Sequence, residues 1–307
     1  MRIKLLPLTN DYIFKSVFGK HEDVILNLIN SFPEFIGEGR IEKIQILNPE
    51  IPRDGKFEKS VTLDMKAMDT KGNHFLIEMQ ATDRLNFSKR ILYYWSKLYS
   101  KSISKGELYI RLPKVYSFNF VNFEMFKNKS KFYWHFQLIE KDDPQFLLTE
   151  DLSIRIIEIP KLIGEFAELK TPLEYWVYLL KEASSLKGET MKALQKKNPK
   201  IKKAIQELRF VSLNKKSREY YEMKEKAEKD YGSMLAFRVQ EAEKEAMEKG
   251  WAQGVEKGIE EGLEKGLEKG RREGRKEGIK LVVEKLLAAG YKKKEISRLT
   301  GLRLKDI

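Results

Sequence analysis

The chain contains no cysteine. That excludes a disulfide framework and any thiolate metal site, and the three histidines, His21, His74 and His135, are too scattered to suggest a structural zinc centre. Long apolar runs are lacking too. None approaches a membrane span, and Met1-Arg2-Ile3-Lys4-Leu5-Leu6-Pro7 has no apolar stretch of signal-peptide length, so the expected location is cytoplasmic. Negative charge is in short supply: 59 Lys+Arg against 46 Asp+Glu leave +13 and a pI of about 9.4. Such an excess favours polyanionic partners, nucleic acid before an anionic membrane, with a generally lysine-rich composition as the alternative. What is present is a hydrophobic content of 41%, with 17 Phe and 13 Tyr. A folded chain of this length holds one sizeable core with appendages, or two domains.

The most informative stretch runs from Val61 to Gln80. Val61, Leu63, Met65, Ala67 and then Phe75, Ile77 and Met79 alternate with polar neighbours around Asp69-Thr70-Lys71-Gly72-Asn73, a run of turn formers. This predicts a β-hairpin. On a period of two, Asp64 faces with Thr62 and Lys66, while Glu78 and Gln80 share a face of the second strand. A carboxylate among apolar strand residues costs free energy unless it is paired or holds a cation, and Mg²⁺ favours one or two carboxylates plus waters and phosphates. A metal site is one reading; a half-solvated hairpin with its acids in water is the other.

Around the hairpin, Thr9 or Asn10 can cap a helix starting at Asp11, with Ile13, Phe14, Val17 and Phe18 as its apolar stripe. Glu22 to Phe32 reads as a second helix, Ile41 to Ile46 as a strand, and Pro49-Glu50-Ile51-Pro52 as an irregular link. Asn86 to Lys101 reads as a helix burying Ile91, Tyr94, Trp95 and Leu98. Leu108 to Phe123, interrupted at Pro113, Phe132 to Ile139 and Ser153 to Ile159 give further strands. The order supports an α/β core with a mixed sheet.

Three segments carry a family resemblance. Asn10-Asp11-Tyr12-Ile13-Phe14-Lys15-Ser16-Val17-Phe18-Gly19 resembles the DxxFKxxFG opening of the Rpn family, the recombination-promoting nuclease/putative transposase group. Asp64 followed by Glu78-Met79-Gln80 resembles the D…ExK core of the PD-(D/E)XK nuclease superfamily, with Gln80 where Lys is more usual. Phe87 to Tyr99 followed by Gly106-Glu107-Leu108-Tyr109 resembles the FxxRxLYYxSxLY…GxxY segment of the Rpn family. The pieces come in family order over roughly the first 125 residues.

The resemblance implies a restriction-endonuclease-like α/β core, a mixed central sheet flanked by helices, with a helical C-terminal extension. It implies Asp64, Glu78 and the carbonyl of Met79 as ligands of Mg²⁺ or Mn²⁺, and Gln80 orienting the attacking water or phosphate. Asp11 is either an extra catalytic acid or only a helix-start residue. Lys15, Lys89 and Arg90 are expected to meet the phosphates of double-stranded DNA, with ordinary helix-surface cations as the alternative for the last two. The implied activity is metal-dependent endonucleolytic hydrolysis of DNA with low sequence specificity, promoting recombination. The alternative is a catalytically weak nuclease fold acting as a DNA-binding, oligomerising module.

The expected divisions are 1–160 for the nuclease-like domain, 161–235 for a helical Lys-rich segment, 236–280 for a glycine repeat and 281–307 for a small helix-turn-helix-like tail. Between Lys187 and Lys203 seven lysines stand against one glutamate, a phosphate-binding patch or a solvated face. Gly250, Gly254, Gly258, Gly262, Gly266, Gly270, Gly274 and Gly278 recur every fourth residue, with Trp251, Val255, Ile259, Leu263 and Leu267 each following a glycine. Eight glycines in a soluble helix cost on the order of 8 kcal/mol relative to alanine. Either a second copy packs closely against the stripe and makes a homo-oligomer, or the segment is a charged tether.

Overall fold

The computed structural model describes residues 4–48, 50–51, 61–62, 64–82, 86–186 and 188–306. Pro49, Pro52, Leu63 and Lys187, and the side chains of Glu50, Val61 and Thr62, lie outside that description.

Helix α1 (Asp11–Phe18) begins where the Asn10 side chain accepts hydrogen bonds from the N–H groups of Tyr12 and Ile13. Helix α2 (Glu22–Ile29) follows, ending one turn earlier than the sequence suggests because a short 3₁₀ turn, Pro33–Phe35, takes over the approach to the sheet. The strands β1 (Ile44–Leu47), β2 (Glu50–Ile51), β3 (Val61–Thr62), β4 (Met65–Asp69) and β5 (His74–Gln80) come next. The β4–β5 hairpin forms with Gly72 at φ +84°, and the Asp69 carboxylate accepts from the N–H groups of Lys71 and Asn73 at 2.9 Å each. Its first strand is shorter than the alternation predicts, since Val61–Thr62 pairs with Glu50–Ile51 in a separate two-stranded sheet.

Helix α3 (Phe87–Lys101) then crosses to β6 (Val115–Val121), which pairs with β5 in parallel. The expected strand before Pro113 is replaced by a 3₁₀ turn, Tyr109–Arg111. Strands β7 (Tyr133–Ile139) and β8 (Leu147–Glu158) complete a six-stranded sheet in the order β1-β4-β5-β6-β8-β7, with β6 and β8 also parallel. One face packs Phe75, Ile77, Met79, Phe118 and Phe120 against Phe14 and Phe18 of α1 and Ile25 of α2; the other meets Ile91 and Leu98 of α3.

Helices α4 (Pro172–Glu182), α5 (Gly188–Lys197) and α6 (Pro199–Leu213) add Trp176, Leu194 and Leu208 to the same core as Phe14. Consequently the first compact unit runs from Met1 to Glu225, past the expected boundary at residue 160. A helical pattern after a strand region marked a new segment in the sequence, but its apolar stripes are buried on α1 and α2 as well as on one another. Lys200 and Lys203 each place Nζ 2.7 Å from the Asp23 carboxylate, so part of the lysine-rich segment is committed inside this unit.

At the carboxyl end of β8, Glu158 is fully buried. It accepts from the N–H groups of Met125 and Phe126 and from the Trp134 indole at 2.7, 3.0 and 2.6 Å, and it pairs with Lys161 at 2.9 Å. Removing one member of a buried, hydrogen-bonded ion pair leaves the other uncompensated. Glu158→Ala is expected to lower unfolding free energy by about 3–5 kcal/mol, read as a drop in the urea midpoint.

Helix α7 (Lys215–Ala288) contributes its first three turns to this unit. The remainder forms the second unit with α8 (Lys293–Thr300), whose buried apolar side chains, among the described residues, are Val283 and Ile296. The glycine repeat is continuous helix, and a Cβ added at any of its eight glycines would meet nothing within 4 Å. Trp251, Val255, Ile259, Leu263 and Leu267 are exposed. Among the described residues no helix is long and apolar enough to cross a membrane.

Candidate active site

The reason β4 starts late is the site itself. Asp64 sits in a bend immediately before Met65, which pairs with Ile77, so Asp64 lies across from Glu78. There the strand ladder is replaced by side-chain bonds in both directions: Asp64 Oδ2 accepts from the Met79 N–H at 2.8 Å, and Glu78 Oε1 accepts from the Asp64 N–H at 3.2 Å. The two carboxyl groups and the Met79 backbone are thereby fixed together. Met79 itself points into the core and is buried, leaving its main chain as the part that faces the acids.

Both acids are held well above the usual carboxylate range. Asp64 is pushed up to about 6, first by burial and then by the negative charge of Asp11, against the Met79 N–H and the charges of Lys15 and Lys224. Glu78 is pushed up to about 8 by burial and by Asp64, against the Asp64 N–H, Arg90 and Lys15. Two carboxyls share a place with too little positive charge for both to ionise readily at neutral pH. Such a pair binds either a proton or a cation.

Glu78 and Gln80 share the sheet face covered by α3, as the period of two requires. Gln80 Oε1 accepts from Arg90 Nη2 of α3, and Gln80 Nε2 donates to the Thr82 carbonyl at 3.0 Å. The Arg90 guanidinium lies 4.8 Å from the Phe87 ring centroid and 5.9 Å from that of Tyr94. Lys89 is exposed on the same turn. From the opposite face, α1 packs against β5 and brings Asp11 and Lys15 near enough for their charges to act on Asp64.

Asp11 stands at the start of α1 as the sequence expects, its Oδ1 accepting from the Tyr12 N–H at 2.7 Å, while its Oδ2 pairs with Lys224 at 2.8 Å. Among the described residues no three of Asp, Glu, His and Cys form a group able to hold a metal ion, and Asp11 bears on Asp64 through its charge. Lys224 is the residue sequence reading missed. It lies 213 residues from Asp11, on the first turns of α7, where Tyr220 packs against Tyr12 with centroids 4.3 Å apart and the rings tilted by 55°. No local pattern signals a contact of that separation.

A family model described as PD-(D/E)XK nuclease family transposase matches residues 8–237, about three quarters of the chain. The chain belongs to this family. The match includes Asp11, Asp64, Glu78, Arg90 and Lys224 and stops before the glycine repeat. No curated protein and no solved structure matches the chain. Asp64, Glu78 and Gln80, read from the sequence as the D…ExK positions, all fall within the matched residues.

Proposed function

We propose that the protein is a metal-dependent DNA endonuclease of low sequence specificity, acting in the cytoplasm and promoting recombination, with Asp64 and Glu78 at its centre. The observation that carries this reading is the reciprocal bonding of Asp64 and Glu78 through each other's strands at 2.8 and 3.2 Å. The donor set suits a hard divalent cation: two carboxyls and a main-chain carbonyl, short of counter-charge, where Mg²⁺ needs only one or two carboxylates. Asp64, Glu78 and the carbonyl of Met79 would hold Mg²⁺ or Mn²⁺. When bound, the ion supplies Lewis-acid polarisation of the scissile phosphate and acidifies the attacking water.

The chain's own residues do the rest. Lys15, Lys89 and Arg90 meet phosphates of double-stranded DNA, contacts that position the duplex without reading bases. Asp11, held by Lys224, adds negative charge beside Asp64 and draws positive charge into the site. Supercoiled plasmid incubated with Mg²⁺ or Mn²⁺ should be nicked or linearised, and EDTA should stop it. DNA bound but never cut would support the DNA-binding module instead.

Self-association belongs to the same reading. The repeat from Gly250 to Gly278 with its exposed apolar neighbours packs against a second copy, and the four-residue period, exceeding 3.6, creeps about 40° per repeat and favours right-handed winding. In an isolated helix each Gly→Ala change raises stability by about 1 kcal/mol. Gly258→Ala/Gly262→Ala/Gly266→Ala should therefore increase helix content of the monomer yet weaken association in sedimentation, because a Cβ on each glycine keeps the backbones apart. Association unchanged by the triple substitution would overturn the packing.

A further inference from the structure

Hydrolysis of a phosphodiester places growing negative charge on the phosphoryl oxygens, and a preorganised cation aimed at them is worth a large part of the rate. The position two residues after Glu78, lysine in the family's name, is here a neutral glutamine. Gln80 is also engaged at both ends of its amide, Oε1 by Arg90 and Nε2 by the Thr82 carbonyl. Its structural work is to hold Arg90.

Arg90 is placed as a site residue rather than a helix residue. It stands in the first turns of α3, where the helix dipole disfavours a cation. What keeps it there is the Gln80 carbonyl and the face of Phe87 at 4.8 Å. Its charge bears directly on Glu78. Among the described residues, Nη2 is the one guanidinium nitrogen with a hydrogen bond, leaving most of a five-donor planar fork to receive an oxyanion.

We propose that Arg90 is the catalytic cation, contacting the phosphoryl oxygens of the scissile phosphate, and that Gln80 is the positioning residue that aims it. The charge expected at residue 80 has moved ten residues along the chain and returned to the same place across the β5–α3 contact. This assignment rests on the nuclease reading above.

The test is single-turnover nicking of supercoiled plasmid at saturating Mg²⁺, with melting curves to show that each variant is folded and with DNA affinity measured in Ca²⁺. Arg90→Gln should slow cleavage about 100-fold while changing DNA affinity only several-fold, and Arg90→Lys should retain part of the rate. Free guanidinium ion should restore part of the activity of Arg90→Ala, a rescue that a merely structural arginine would not show. Gln80→Lys should slow the enzyme, since an ammonium beside the guanidinium displaces it, whereas Gln80→Lys/Arg90→Gln should recover at least about tenfold over Arg90→Gln alone. Gln80→Lys as fast as wild type with Arg90 intact, or Arg90→Gln cutting at the wild-type rate, overturns the assignment and leaves the nuclease reading standing. A wild-type protein inert with every metal removes both.

Discussion

Asp64→Ala is expected to reduce metal-dependent plasmid nicking by on the order of 10³-fold, equivalent to about 4 kcal/mol of transition-state stabilisation. Two losses combine. The proposed metal loses one of its two carboxylates, and the Met79 N–H loses the acceptor that fixes the main chain of β5 beside Glu78. Asp64→Asn separates them, because an amide oxygen can still accept from Met79 while carrying no charge. It should fold as wild type and remain as inactive as Asp64→Ala if charge is what counts. Quantitative nicking rates for both variants, with EDTA as the blank, check this; cutting that survives either substitution would move the reaction away from the hairpin.

The second large effect is on stability, and it needs no DNA. Glu78 has a folded-state pKa of about 8 against an ordinary 4.5, and Asp64 about 6 against 3.8. A raised carboxyl binds its proton more tightly in the folded state, so its stabilising contribution is complete below about pH 4 and is lost as pH climbs through the folded values. Acids with lowered values act at the other end: Asp23, bound by Lys200 and Lys203, and Glu34, which overcomes its burial through His135 and Tyr133, are both held at about 2. Their stability is present above the ordinary carboxylate range and lost as pH falls towards 2, outside the window of interest. Metal-free protein should therefore melt at falling temperature from pH 5 to pH 8.

Mg²⁺ should reverse that fall, most at pH 8 where both carboxyls are ready to ionise. At a hundredfold excess over its dissociation constant a ligand adds about 2.7 kcal/mol, which for a domain of this size is a Tm rise of roughly 5–10 °C. Glu78→Gln should melt higher than wild type at pH 8 without metal, lose most of the pH slope, and gain little from Mg²⁺. Melting curves at pH 5, 6, 7 and 8, with and without metal, provide the comparison. A Glu78→Gln protein with the wild-type slope and the full metal response would show that this pair is not where the cation acts.

Much of the architecture was legible in the order of residues. Alternation around Asp69 to Asn73 gave the hairpin, the 3.6-residue periodicity of Asp11 to Phe18 and of Phe87 to Lys101 gave α1 and α3, and the DxxFKxxFG and D…ExQ patterns gave the family that the match over residues 8–237 shows. These are local signals: strand and helix periods and turn chemistry depend on neighbours within a few residues. Glu158 was legible only as part of a strand, although an acid closing an apolar run before Pro160-Lys161 is a signal that it has partners to find.

What the sequence by itself determined is which side chains could do chemistry, Asp64 and Glu78 as an acidic pair and Gln80 in place of lysine, and that a glycine recurs every fourth residue from Gly250 to Gly278. The tertiary structure decided how they are used. Asp64 became a bend rather than a strand residue because its carboxyl and its N–H are taken by Met79 and Glu78 across the hairpin. The amide of Gln80 turned to Arg90 because a parallel crossover lays α3 over the face that Gln80 occupies. Lys224 reached Asp11 because α4 to α6 bury their apolar stripes on the core shared with α1, which returns the chain to α1 after more than 200 residues. Charges and hydrogen bonds between such distant residues depend on where the core packs, and a local pattern holds no record of that.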